Sequence, residues 1–306
     1  MALRGPPGER SPADLLAFGV VNLDKPPGPS AHQVAGWVRD VVGDAREAAT
    51  GERGPGRAAH AGTLDPKVTG CLPVLLGDAT RLAQVFLEGD KEYVAVLELH
   101  GPAPADLAAV LAEFEGPIYQ TPPRKSAVVR RRRVREVTEL SALEVEDRRV
   151  LLRIRCESGT YVRKLCHDLG LALGTGAHMG DLRRTRTEPF DDRDLVTLQD
   201  LADGLAFWTE SSDEALLREV VQPAERALAH LPGVTVAESA AREVAEGAPV
   251  YAPGVLDSDL TGPPDDAAAP LVACYTPDGA AVCLGRLVGD PAADAGTVVD
   301  LERVLV

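Results

Sequence analysis

The sequence predicts an α/β (α+β) protein with a small β-barrel at its C-terminal end, and three observations carry that prediction. β-rich runs such as KEYVAVLEL at 91–99 alternate with helical periodicities over most of the chain. At 306 residues and 45% hydrophobic content there is enough chain for two cores. Past Pro232 short β runs gather around an Asp/Pro/Gly-rich loop at Asp257 to Ala269, the pattern of a compact barrel. The expected division is a larger unit at 1–229 and a smaller one at 230–306.

Taken in order, Gly19 to Leu23 suits a buried strand, and Asp24-Lys25-Pro26-Pro27-Gly28-Pro29 forces a turn. Ser30 is placed to cap a helix that carries Val34, Trp37, Val38 and Val41 at helical spacing. Gly43 to Ala58 lacks periodicity and reads as a mobile loop. A tight turn at Asp65, a strand at Leu72 to Leu76 and a helix at Asp78 to Leu87 follow. The strand at Lys91 to Leu99 puts Tyr93 and Ala95 on one face and Val94 and Val96 on the other.

A short helix is expected at Asp106 to Phe114, and Gly116 to Pro123 (GPIYQTPP) is expected to be irregular. Ser126 to Val137 (SAVVRRRRVREV) reads as a strand or ribbon whose polar side is strongly basic. Leu143 to Val145 and Val150 to Cys156 form a hairpin about Asp147-Arg148-Arg149. Glu157 to Thr160 turns the chain into a helix with Arg163 in its first turn. His178 to Arg186 is strand-like, with Leu182 and Arg184 on the same side. Helices are expected at Leu198 to Phe207 and Ala215 to Leu228. In the last section short strands at 234–236, 271–275, 281–287 and 298–306 surround a helix at Ser239 to Glu246.

Composition narrows the function classes. No run of about 18 apolar residues is present, and Met1 to Arg10 lacks a hydrophobic signal core, so a cytoplasmic protein is expected. The five cysteines are scattered without a Cys-x-x-Cys pair, which predicts reduced thiols and no metal site. The net charge of -15 argues against a simple nucleic-acid-binding surface. Its distribution softens that argument: 27 arginines stand against 5 lysines, and residues 230–306 alone carry -9. An acidic, lysine-poor surface fits a salt-rich cytoplasm. Folding and activity are therefore expected to fall as potassium chloride is diluted from molar concentration, which circular dichroism checks; full activity in dilute buffer would count against it.

Within this acidic chain Arg130, Arg131, Arg132 and Arg133 stand together. A solvated charged edge is one account, but clustering suits a polyanion, because each phosphate neutralised releases counterions. Asp65 in HAGTLDP is a carboxylate held in a turn ahead of an apolar strand, with His60 five residues before it. Singly, Asp65 before Pro66 reads as a turn residue, Tyr93 as packing, and Arg163 as a partner for Glu157.

Six ordered motifs change that weighting: LDKPPGPSAHQV (23–34), HAGTLDPKVTGCLPVLLGDATRL (60–82), KEYVAVLELH (91–100), YQTPPRKSAVVRRRRVRE (119–136), ESGTYVRKLCHDLG (157–170) and GAHMGDLRRTRTEPF (176–190). With them the chain resembles the TruB family of pseudouridine synthases over most of its length. The wording resembles the archaeal and eukaryotic, dyskerin-type branch found in H/ACA ribonucleoproteins, and with the charge it implies a halophilic archaeal source. Residues 231–255 and 271–287 are similar to a PUA domain. Ala59, Ala31 and Glu188-Pro189 depart from the family's wording.

The resemblance implies a mixed, largely antiparallel central sheet flanked by helices, with a C-terminal PUA-like barrel that binds RNA. It implies isomerisation of uridine to pseudouridine in transfer RNA (uridine 55), ribosomal RNA or both. Expected partners are an H/ACA guide RNA and small particle proteins, including a kink-turn-binding protein; no cofactor or metal is called for. Asp65 would be the catalytic carboxylate, as nucleophile or as base at the sugar C2′. Tyr93 would stack on the base and could assist proton removal at its C5, and Arg163 would fix the direction of Asp65. His60, Leu182, Arg184 and Lys25 would line the substrate pocket, and Arg130 to Arg133 would hold RNA. The target base must first leave its stack. A scaffold that binds RNA without chemistry is the alternative function, and a carboxylate hydrolase lacks a second acid at motif spacing.

Overall fold

The structure is a computed structural model, and it describes residues 3–54, 56–87, 89–122, 129–262 and 269–306. In chain order the elements are α1 (Pro12–Ala17), β1 (Phe18–Lys25), α2 (Ala31–Thr50), β2 (Ala58–His60), β3 (Thr69–Gly77) and a 3-10 helix at Asp78–Leu87. Then come β4 (Lys91–Leu99), α3 (Leu107–Glu113), β5 (Gly116–Gln120), β6 (Arg133–Glu146), β7 (Arg149–Cys156), α4 (Val162–Ala172) and β8 (Ala177–Thr187). The chain continues through β9 (Phe190–Asp191), α5 (Leu198–Ser211), α6 (Ala215–Val220), β10 (Gln222–Pro223) and a 3-10 turn at Ala224–Leu228. The last section holds β11 (Gly233–Val236), α7 (Glu238–Ala245), β12 (Val250–Tyr251), β13 (Val255–Ser258), β14 (Leu271–Tyr275), β15 (Ala281–Leu287) and β16 (Thr297–Val304).

Among the described residues ten strands form one sheet in the order β10-β1-β3-β8-β4-β7-β6-β5, with β2 on β3 and β9 on β8. Only β3 and β8 run parallel in it, so it is mixed and largely antiparallel. Strand β4 alternates strictly, with Lys91, Tyr93, Ala95, Leu97 and Leu99 buried and the residues between them half-buried, as one covered face requires. That face packs on α2, α4 and α5 through Val34, Val38, Leu165, Leu169 and Leu201. A second core joins Phe18, Leu75, Phe86 and Phe190 to Leu271, Leu284 and Leu305, so the second sheet shares a core with the first. That sheet has six strands, ordered β12-β16-β15-β14-β11-β13.

The junction also carries an ion pair. Arg10 donates twice to Glu225, at 2.8 and 2.6 Å, and the side chains are only 4% and 10% exposed. Glu225 Oε1 accepts a further bond from the Ala281 N–H on β15. Glu225→Gln would leave the Arg10 guanidinium buried without its countercharge. It is expected to cost about 3–5 kcal/mol in chemical denaturation, and a loss under 1 kcal/mol would mean that water reaches the pair.

Several expectations are corrected. Residues 43–50, read as loop, continue α2, because DAREAAT is rich in helix formers and Gly51 ends the helix in the left-handed region, φ 78. Residues 116–120 are a strand despite Pro117, which an edge strand tolerates; its partner is 133–137 of β6. The basic ribbon becomes strand only at Arg133, so Arg130 to Arg132 precede it, and Ser126 to Val128 lie outside the described residues. The helix expected at 215–228 stops at Val220, where β10 pairs with β1. Residues 78–87 are 3-10 rather than α-helical, and 257–258, the start of the expected loop, end the strand Val255–Ser258. All five cysteines are buried and unbridged. Among the described residues no helix is long and apolar enough to cross a membrane.

Candidate active site

The turn that presents Asp65 is closed by the Val68 N–H donating to the Asp65 carbonyl at 3.0 Å. It is clamped from beneath. Lys25, at the end of β1, has no exposed surface, and its Nζ donates to the carbonyls of Pro26, Pro66 and Val68 at 3.0, 3.0 and 2.8 Å. The Gly28 N–H donates to the Pro66 carbonyl as well. One ammonium thereby ties the loop after β1 to the loop before β3. Burial pulls the Lys25 pKa down, and the ring of carbonyls replaces the lost water.

Above this clamp the Asp65 carboxylate forms an ion pair with Arg163, in the first turn of α4. The two side chains are 52% and 47% exposed, so the pair is open to an incoming ligand. Glu157, the other partner considered for Arg163, pairs with Arg135 at 2.7 Å.

The second constellation is centred on Arg184. On β8 it stands opposite Tyr93 of β4, and it is 1% exposed. Its Nε donates to the Cys71 carbonyl at 2.8 Å and Nη2 to the Gly62 carbonyl at 3.3 Å. The Arg184 charge also acts on the Tyr93 hydroxyl, whose pKa burial, the larger effect, raises above the ordinary value. Tyr93 is therefore a neutral phenol at pH 7, with 8% of its surface exposed.

Gly62 and Gly70 fit this packing because they have no side chain. Their φ angles are +101° and +95°, and a Cβ on Gly70 would stand 2.2 Å from the Arg184 carbonyl oxygen. His60, on β2, has a buried Nδ1 without a hydrogen-bond partner among the described residues. Burial first, then Arg184 and His32, hold its pKa below the usual 6.5.

That shift carries a prediction. The unfolded chain takes up the proton near pH 6.5, whereas the folded chain binds it only at lower pH, so His60 weakens the fold as pH falls through this window. Relative to His60→Gln, the wild-type melting temperature should drop as pH falls below 6.5, with the gap unchanged above pH 7. Parallel curves for the two proteins would reject the assignment.

Leu182 follows β8 toward a cleft of about 380 Å³ that it lines with Pro27, Lys67, Thr69, Val94, Val96, Asp181 and Arg183. Val94 and Val96 point away from the Tyr93 face, so Leu182 stands at the border of the two sides. Arg130 to Arg133 lie apart from these constellations. Arg130 reaches the Pro122 carbonyl, Arg132 stacks over Tyr119 at 5.6 Å, and Arg133 reaches the Val129 carbonyl. Among the described residues no carboxylate pairs with these four.

Two buried polar residues near the site were not picked out from sequence. Lys91, 3% exposed, donates to the Phe86 and Gly89 carbonyls, and burial lowers its pKa to about 8. Gln120, 2% exposed, bonds the backbone of Tyr161, immediately before α4. Together Lys25, Lys91 and Arg184 place three buried cations, each bonded to carbonyls, in a chain that is strongly acidic. A fixed positive field of this kind favours a polyanion and any negative charge developing at the reacting base.

Comparison with known proteins gives the family of the chain. Residues 51–104 match the model described as "TruB family pseudouridylate synthase (N terminal domain)". Residues 163–229 match "tRNA pseudouridylate synthase B C-terminal domain", and residues 5–35 match the DKCLD domain. A protein of Halobacterium salinarum named "Probable tRNA pseudouridine synthase B" is 65% identical over 315 aligned residues, covering 100% of both chains. Among solved structures, a Cbf5-Nop10-Gar1 complex matches with a TM-score of 0.87 at 42% identity, covering 99% of this chain and 90% of the other. An H/ACA ribonucleoprotein bound to a substrate RNA containing 2′-deoxyuridine matches with a TM-score of 0.86 at 41% identity, with 99% and 90% coverage.

Proposed function

This chain belongs to the TruB family of pseudouridine synthases, in its archaeal dyskerin-type branch, and we propose that it isomerises uridines in RNA as the catalytic subunit of a guide-directed H/ACA particle. The observation that carries the proposal is the Asp65–Arg163 pair, presented on a turn that Lys25 clamps from below.

The reaction is an isomerisation. The C1′–N1 bond of uridine breaks, the base turns, a C1′–C5 bond forms, and the C5 proton moves to solvent or to N1. Atoms and electrons balance without an external reagent. Asp65 starts the sequence as nucleophile or as base at C2′, and Arg163 holds its carboxylate in direction. Tyr93, neutral at working pH, offers the flipped base a ring to stack against rather than a phenolate base. Arg184 and Lys25 act from beneath by holding Gly62 and Pro66, and Leu182 with His60 bounds the space for the base. Pocket contacts offset the few kcal/mol of stacking lost on flipping.

The RNA is transfer RNA, ribosomal RNA or both, gripped by Arg130 to Arg133 and by a PUA-like domain at 230–306 beside a catalytic domain at 1–229. The acidic second domain reads RNA by shape and hydrogen bonds more than by charge. Partners are a guide RNA, counterparts of Nop10 and Gar1, and a kink-turn-binding protein, in the cytoplasm of a salt-rich cell.

The test is to give the purified chain a transfer RNA transcript in molar potassium chloride, with and without guide RNA and partners, and to measure pseudouridine. Product only with guide supports the particle role. Product from the chain alone supports the stand-alone transfer RNA enzyme, and RNA binding without product under every condition supports a scaffold instead.

A further inference from the structure

Helix α4 begins without a side-chain cap: its N-cap residue Tyr161 makes no such bond. A helix start lacking a cap frays, yet Arg163, two residues on, must meet Asp65. Support for this helix start comes from another element. The Gln120 side chain, at the end of β5 and 2% exposed, accepts a bond from the Tyr161 N–H at 2.9 Å and donates to the Tyr161 carbonyl at 3.2 Å. That carbonyl is also where the helix starts, since Lys164 and Leu165 both donate to it at 3.0 Å. A single buried amide therefore holds both backbone groups of the residue from which Arg163 is projected.

The neighbouring turn is fixed in the same direction. Arg135 on β6 pairs with Glu157 at 2.7 Å, and the Glu157 N–H donates to the Glu136 carbonyl. Gly159, at φ +82°, leaves room for the Arg135 guanidinium, which would lie 3.2 Å from a Cβ there. The β5–β6 pair is thus the abutment on which the start of α4 stands. The apolar side of α4, from Val162 through Leu165 and Leu169, packs into the core and fixes where the helix lies, and the Gln120 bonds fix the backbone of the residue from which its first turn starts.

We propose that Gln120 is a positioning residue for the reaction: by holding both backbone groups of Tyr161 it sets Arg163 against Asp65. The inference rests on the reading of Asp65 and Arg163 as the catalytic pair. Gln120 is 2% exposed and bonds the backbone of Tyr161 rather than Asp65 or Arg163 themselves, so its effect on the reaction is expected to pass through Arg163.

The test is a double-mutant cycle in single-turnover isomerisation by the assembled enzyme, alongside RNA affinity and melting temperature. Gln120→Ala is expected to slow the chemical step about tenfold or more, since small misplacements of a positioned group are costly, with RNA affinity changed less than twofold. In an Arg163→Ala background the same change should lower the rate no further. Gln120→Glu, which keeps the acceptor for the Tyr161 N–H and loses the donor, should fall between wild type and Gln120→Ala and covers the case in which Gln120→Ala does not fold. Equal fractional losses in the presence and absence of Arg163, or wild-type rates for both Gln120 variants, overturn the proposal. An Asp65→Asn protein that still makes product would instead overturn the underlying reading of the site.

Discussion

Asp65→Asn should abolish pseudouridine formation while leaving the fold and RNA binding almost untouched. The two effects separate because of where the carboxylate sits. Its pair with Arg163 is about half exposed on both sides, and pairs of that kind contribute about 0–1 kcal/mol to stability. The turn itself is held by the Lys25 ammonium and by backbone bonds that do not involve the Asp65 side chain. The melting temperature should therefore move by no more than about 2–4 °C. Chemistry has no substitute for the carboxylate, whether it attacks or removes a proton, so single-turnover rates should fall by at least about 10³-fold. Arg163→Ala should be milder, at about 10²-fold, because it misdirects the carboxylate without removing it. The check is product formation beside filter binding of the same RNA. Comparable losses in binding and in product would mean that Asp65 serves RNA docking rather than bond exchange.

How much of this could be read from residues alone differs from element to element. Strand β4 was legible to the residue, because alternation over 91–99 is a local signal that a half-covered sheet rewards. The Ser30 cap was legible for the same reason, and it forms a full capping box with Gln33. The end of α2 was not: Gly43 reads as a breaker, but the Arg53 side chain folds back over it within 3.0 Å of where a Cβ would lie, a contact no local window contains. Strand β5 was missed because its partner begins 13 residues later, across a segment of prolines and arginines. The pairing of Asp65 with Arg163 spans 98 positions. Spacing alone offered Glu157 to Arg163 as well, and family motifs favoured the pair that the structure contains. Gln120 gave no signal, since one buried amide at a strand end looks like any polar loop residue until its partner is known.

Arg184→Met is expected to damage stability and activity together, unlike Asp65→Asn. Two opposing effects set the outcome. A guanidinium that is 1% exposed and bonded to carbonyls rather than to a carboxylate carries a desolvation cost, which an apolar side chain of similar size would relieve. Against that, the change strips the Cys71 and Gly62 carbonyls of their donor. Each buried group left unsatisfied costs about 1–3 kcal/mol, so the two together outweigh the relief and a net loss of about 2–4 kcal/mol is expected. Activity follows from the Gly62 bond. Gly62 lies between His60 and Asp65 in a left-handed conformation at φ +101°, and without its anchor the turn can shift by the ångström or so that costs about 10²-fold in rate. Urea denaturation and single-turnover assays on one preparation measure both effects. A stable Arg184→Met protein with a slow chemical step would mean that the cation's desolvation matches its bonds and that Arg184 is kept for the geometry of the turn. A destabilised protein that still reacts at the wild-type rate would remove Arg184 from the site.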